Sequence, residues 1–312
     1  MKLKMDGSNA YFDAWDPCKE VAEKCKKWIS RMPVIGIVCG SGLGTLAEAL
    51  ENRVDLTAAC QSVLFNDRSN LGDGNDSFPV YYGTIRDVPC IVLGKRYHFY
   101  QGYTPQQTAI PIVLMKALGV KIVILSNAAG GLNMNYHIGD LMLIKDHISL
   151  LGMAGNNPLI GRNNEQMGTR FPSLCNAYDE DLRHVFHEVA KEKQLESLLQ
   201  EGVYVCQSGP CYETPAECNF LRVIGGDAAG MSTVNEVVAC RHLDMRVFAV
   251  SLITNISVMP GVTDYVAPSH QEVLAAAAAS TATLRSLMEE FIGRICVRSE
   301  ERRVGKECRS RW

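Results

Sequence analysis

The sequence predicts a single α/β domain, a central β-sheet flanked by helices, on three observations. Short unbroken apolar runs rich in β-branched residues recur along the chain, segments with helical spacing lie between them, and 47% hydrophobic residues over 312 positions supply one large core. An apolar run of strand length without alternation is buried on both faces, as in a strand that helices cover from either side.

In chain order, the first helix is expected over residues 21–29, where Val21, Ala22, Cys25, Trp28 and Ile29 keep helical spacing ahead of Pro33. Buried strands are expected at 34–38, 90–93, 120–125, 141–144, 203–206 and 247–253. Helices fall between them at 106–118, 178–195, 214–224 and 234–242, an alternation that predicts a largely parallel sheet. The alanine-rich residues 269–292 hold few helix breakers and read as a long helix packed on the sheet. Residues 67–79 concentrate Asn, Asp, Ser and Gly and read as a loop. From Arg298 to Trp312 the chain is dense in charge without periodicity, so residues 1–296 are expected to form the domain and 297–312 a disordered tail.

A formal charge of −3 gives no basic footprint for nucleic acid or an anionic membrane, so a phosphate-bearing ligand has to be held by a local site. The first ten residues lack the apolar core of a secretory signal and no stretch reaches the length of a membrane span, which places the expectation in the cytoplasm. The 12 cysteines are scattered, with no C-x-x-C pair, and point away from a disulfide framework or a zinc site.

Six segments carry groups suited to chemistry. Gly40-Ser41-Gly42-Leu43-Gly44 follows the first apolar run; its amides can face an anion, and Thr45 replaces the last glycine of a dinucleotide fingerprint. Extended backbone over 94–100 would set Arg96, His98 and Tyr100 on one face, where two donors at a strand end suit phosphate. The small residues of Ser126-Asn127-Ala128-Ala129-Gly130-Gly131 let a flat ring lie against bare backbone. Tyr212 could stack on a base while Glu213 bonds its edge, Met231 follows Gly230 at another strand-like end, and Asn255 offers a heterocycle both a donor and an acceptor. Each segment also has an ordinary structural reading: a glycine turn, a solvated strand end, a helix cap for Glu213, core filling for Met231.

Taken in this order, the segments resemble those of the trimeric purine nucleoside phosphorylases, over roughly residues 34–291, with matches at 39–44, 96–103, 127–133, 209–214, 230–233 and 251–255. The resemblance implies the nucleoside phosphorylase fold with a mixed, distorted sheet, a homotrimer, and no metal or organic cofactor, inorganic phosphate being a co-substrate. It implies reversible phosphorolysis of 6-oxopurine ribo- and deoxyribonucleosides in purine salvage. Ser41, Arg96, His98, Ser232 and the amide of Ala128 would then hold phosphate; Tyr100, Met231, Met167 and His270 the ribose; and Ala128, Gly130, Tyr212, Glu213, Ala229, Gly230 and Asn255 the purine, with Glu213, Asn255 and His98 catalytic.

The chain departs from that pattern in places. Residues 72–77 lack the family's loop histidine and carry Asp73 and Asp76, which predicts a raised KM for phosphate; Gln101 replaces an acidic residue, Tyr212 a phenylalanine, and Met167 a phenylalanine given by a neighbouring subunit. Residues 257–268, with Pro260-Gly261, depart as well. A methylthioadenosine phosphorylase, or a nucleoside-binding paralogue with little turnover, are the alternatives.

Overall fold

The computed structural model describes residues 9–40, 44–64, 78–262 and 269–309, with the side chains of 44–45 and 297–309 excepted. Ser41 and most of the 67–79 loop, including the 72–77 departure, lie outside the described residues.

The elements run α1 (Ala10–Asp13), α2 (Trp15–Cys25), β1 (Ile35–Val38), β2 (Glu51–Asp55), α3 (Thr57–Cys60), β3 (Val80–Ile85), β4 (Val88–Leu93), α4 (Pro105–Ala117), β5 (Ile122–Gly131), β6 (Leu141–Ser149), α5 (Leu150–Met153), α6 (Glu180–Glu192), β7 (Leu199–Cys206), α7 (Pro215–Val223), β8 (Ala228–Gly230), α8 (Val234–His242), β9 (Arg246–Ile256) and α9 (His270–Arg309). All six expected strands are present. The first helix starts earlier than the expected 21–29 and stops at Cys25: Pro17 sits in its first turn, where no amide is needed, and the buried stripe is Cys18, Val21, Ala22 and Cys25, which leaves Trp28 outside it.

One nine-stranded sheet has the order β2-β3-β4-β1-β5-β8-β7-β6-β9, and β9 also pairs with β5. Strands β5, β8, β7, β6 and β9 therefore close into a small ring, with β2, β3, β4 and β1 extending from it as an open wing. The sheet is mixed rather than largely parallel. Five pairings are parallel and four antiparallel. Part of the antiparallel share comes from β3 and β4, joined by Arg86 and Asp87 at φ 51 and 62, the paired left-handed residues of a tight hairpin. The rest comes from β2 on β3, and from β5 against β8 and β6 against β9 within the ring.

The core lies on both faces. One cluster gathers Tyr11, Val113, Leu125 and Val237 beneath α1, α2, α4 and α8. The other is built around Phe186 of α6, Phe248 of β9 and Phe291 of α9, rings whose centroids lie 4.6–5.3 Å apart. This aromatic triad fastens α9 to the sheet. The backbone of α9 stays helical to Arg309, past the expected end at 292 and through most of the stretch read as a disordered tail. Glu, Arg and Lys are good helix formers. Among the described residues no helix is long and apolar enough to cross a membrane.

Candidate active site

A cavity of about 280 Å³ opens where the carboxyl ends of β5 and β9 meet the short strand β8. Its floor is the bare backbone of Asn127 to Gly130 and of Ala229 and Gly230. Two glycines make the approach possible. A methyl group on Gly40 would lie 2.5 Å from the Ser126 carbonyl oxygen, and one on Gly130 would lie 3.1 Å from both Asn255 Nδ2 and Ser257 Oγ. Gly40 instead donates its N–H to Ser126 Oγ at 3.2 Å, which ties Gly40 to β5.

Ser232 reaches the cavity from a strained turn. Thr233 has φ 74, a costly value for a β-branched residue, and Val234 donates its N–H to the Ser232 carbonyl at 2.8 Å across it. Asn127 Nδ2 donates to Thr233 Oγ1 at 2.8 Å, and the Tyr204 hydroxyl accepts the Ser232 N–H at 3.3 Å. The turn is thereby held from two sides, and it aims both Met231 and Ser232 at the cavity. Asn127 also lines the wall; its Oδ1 is buried without a hydrogen-bond partner among the described residues.

The segment after β4 is not extended as far as expected. The strand stops at Leu93, and residues 99–101 form a single 3₁₀ turn capped by His98, whose N–H is accepted by Gln101 Oε1 at 2.8 Å. His98 and Tyr100 consequently stack, centroids 4.8 Å apart, and both line the cavity. Arg96 points elsewhere. Its side chain is 2% exposed behind the wall, with Nε and Nη2 on the two carboxylate oxygens of Glu236 at 3.2 and 3.1 Å and Nη1 donating to the Ser126 carbonyl at 2.6 Å. Burial pushes the Glu236 carboxyl above its ordinary range, and Arg96 opposes that shift.

The opposite wall follows β7. Thr214 caps α7 by accepting the Glu217 N–H at 3.2 Å, and Glu217 closes the box on the Thr214 N–H at 2.8 Å. The capping role is thus filled by Glu217, and Glu213 turns into the cavity beside Pro210 and Tyr212. Burial raises the Glu213 carboxyl above the usual carboxylate range, Glu217 adds to the rise, and a backbone N–H offsets part of it. At the end of β9, Thr254 Oγ1 donates to Asn255 Oδ1 at 3.2 Å, which orients the amide so that Nδ2 is the group left for the cavity. His270 and Val273, in the first turn of α9, complete the enclosure.

His98, Tyr100, Ala128, Gly130, Tyr212, Glu213, Ala229, Gly230, Met231, Ser232, Asn255 and His270 are thus brought together as expected from the sequence, whereas Arg96 sits one layer back and Ser41 lies outside the described residues. Met167 does not line the cavity. It is packed in the larger core cluster at 5% exposure. Asn127, Ala129, Pro210, Thr254 and Val273 also line the wall; all but Val273 lie in the segments read from the sequence, but none had been given a site role. Among the described residues no cluster of three or more His, Cys, Asp or Glu is gathered for a metal.

Known proteins resemble this chain over most of its length. The model of the phosphorylase superfamily matches residues 34–293. A putative purine nucleoside phosphorylase of Schizosaccharomyces pombe is 39% identical over 90% of this chain and 93% of its own, and the Bos taurus purine nucleoside phosphorylase is 40% identical over 80% and 86%. The crystal structure of Schistosoma mansoni purine nucleoside phosphorylase in complex with inosine aligns with a TM-score of 0.83 at 43% identity, covering 89% of this chain and 96% of that one. A family match over most of the chain, with relatives near 40% identity along most of their own length, shows that the chain belongs to the phosphorylase superfamily.

Proposed function

We propose that this chain is a pentosyltransferase that cleaves purine nucleosides with inorganic phosphate, reversibly, to the free base and ribose or deoxyribose 1-phosphate. The observation that carries the reading is the convergence on one cavity of a base-reading pair, Glu213 and Asn255, with His98, Ser232 and the backbone at Ala128, which suit an oxyanion. Cleaving the N-glycosidic bond leaves positive charge on the sugar and negative charge on the departing purine. A phosphate dianion under the ribose stabilises the first, and a donor at N7 stabilises the second.

In this reading Asn255 Nδ2 donates to N7 and the Glu213 carboxylate accepts the N1–H of a 6-oxopurine, as in inosine or guanosine. Tyr212 stacks on the base, Tyr100 and Met231 pack the ribose, and His270 meets the 5′-hydroxyl. Ser41 joins the phosphate ligands, and Arg96 supplies charge from behind the wall. No cofactor is required beyond phosphate itself. The resemblance to trimeric enzymes extends the reading to a homotrimer acting in cytoplasmic purine salvage, and the exposed apolar side chains of Met153, Ile160 and Phe171 offer surface for such assembly.

The test is inosine consumption with and without phosphate, following hypoxanthine and ribose 1-phosphate separately. Phosphate-dependent formation of both is expected. Cleavage without phosphate overturns phosphorolysis in favour of hydrolysis, preference for methylthioadenosine moves the substrate to a 6-amino purine, and binding without turnover leaves a nucleoside-binding protein.

A further inference from the structure

We infer that Glu236 is a positioning residue that sets phosphate affinity by holding and tempering the charge of Arg96; this rests on the phosphate reading of the cavity. Glu236 is in the first turn of α8, directly after the turn that aims Ser232, and it borders one water-sized gap together with Met231, Ser232 and Thr233. One carboxylate oxygen accepts a hydrogen bond from Arg96 Nε at 3.2 Å, the other lies at ion-pair distance, 3.1 Å, from Nη2 without hydrogen-bond geometry, and the Ser126 carbonyl takes Nη1. The side chains are 2% and 6% exposed. Two opposite charges in a site that excludes water act on a nearby anion as a dipole rather than as a full cation.

That arrangement has a chemical use. A phosphate dianion held by an unopposed buried guanidinium would be bound tightly in the ground state, and ribose 1-phosphate would leave slowly. Pairing the guanidinium lowers both affinities while fixing its orientation, which favours turnover over binding. The carboxylate touches neither substrate nor reacting atoms; it acts through Arg96.

The experiment is steady-state phosphorolysis of inosine by Glu236→Gln and Glu236→Met, which keep the volume and remove the charge, beside Glu236→Asp, which keeps the charge. Removing the carboxylate should lower KM for inorganic phosphate about fivefold or more, strengthen product inhibition by ribose 1-phosphate in parallel, lower kcat, and leave KM for inosine within about twofold. Glu236→Asp should return phosphate KM to within about twofold of the parent value. An unchanged or raised phosphate KM in folded Gln and Met variants overturns the inference, as does failure of both to fold, which would assign Glu236 to the fold alone. If the parent enzyme cleaves inosine without phosphate, the phosphate reading fails first, and that outcome is separate from any behaviour of the variants.

Discussion

Replacing Asn255 with alanine isolates the donor proposed for the leaving purine. The amide is oriented before substrate arrives: Thr254 Oγ1 donates to Oδ1 at 3.2 Å, the residue stands opposite Gly130 in the parallel register of β5 and β9, and a methyl on Gly130 would already be 3.1 Å from Nδ2. Such a donor gives up little orientational freedom during reaction and faces charge that develops only as the bond breaks. Its loss should cost about 2.7–4 kcal/mol of transition-state stabilisation, or about 10²–10³ in kcat/KM for inosine. Asn255→Asp should lose at least as much, since an acceptor would replace the donor facing N7, and Thr254→Val should lose about tenfold by freeing the amide to rotate. Hypoxanthine release under saturating phosphate provides the assay, and thermal unfolding provides the control for folding. A folded Asn255→Ala enzyme with kcat/KM within about threefold of the parent would refute the assignment, and a loss confined to KM would make Asn255 a uniform binder instead.

Three further predictions bear on the base pair, the first turn and the core. Because burial holds the Glu213 carboxyl above its ordinary range, and the ionised form accepts N1–H, kcat/KM for inosine at fixed phosphate dianion should fall as pH falls through that raised value; Glu213→Gln should be slower and lack this acid limb, and an unchanged limb would place the titration elsewhere. Gly40→Ala brings a methyl to 2.5 Å from the Ser126 carbonyl and 2.7 Å from Asn127 Cα, backbone atoms with little room to yield. It should cost about 1–3 kcal/mol of stability in denaturant titration and raise phosphate KM more than inosine KM, because Ser126 also anchors Arg96. Phe291→Ala should lose about 3–5 kcal/mol, read by thermal or chemical unfolding, since the ring is fully buried between Phe186 and Phe248.

Much of the fold was legible because buried strands declare themselves by composition: residues 35–38, 90–93 and 247–253 are almost wholly apolar. Strand β2, Glu-Asn-Arg-Val-Asp, escaped notice because an exposed edge strand has no apolar run to show, and β8, three small residues, showed only as a strand-like end at Gly230. Motif residues on strand ends fell into place, since a strand fixes where its last side chains go. Arg96 and Tyr100 did not follow simple alternation, because the chain leaves the sheet at Leu93 and turns within a few residues. The buried partner of Arg96 was beyond reach: nothing local in residues 234–242 marks Glu236 as facing a residue 140 positions away.

The enclosure of the cavity by the first turn of α9 bears on the order in which the molecule is made. A chain grown as far as residue 262 already holds every strand of the sheet, with Asn127, Glu213 and Asn255 in hand, yet it has neither His270 nor Val273. It also leaves Phe186 and Phe248 uncovered, because Leu284, Leu287, Met288 and Phe291 have still to be synthesised. At that length the apolar face that α9 covers is open and the pocket is unfinished. Docking of the last helix ends both conditions at once, so acquisition of activity during synthesis reports that the hydrophobic face has closed.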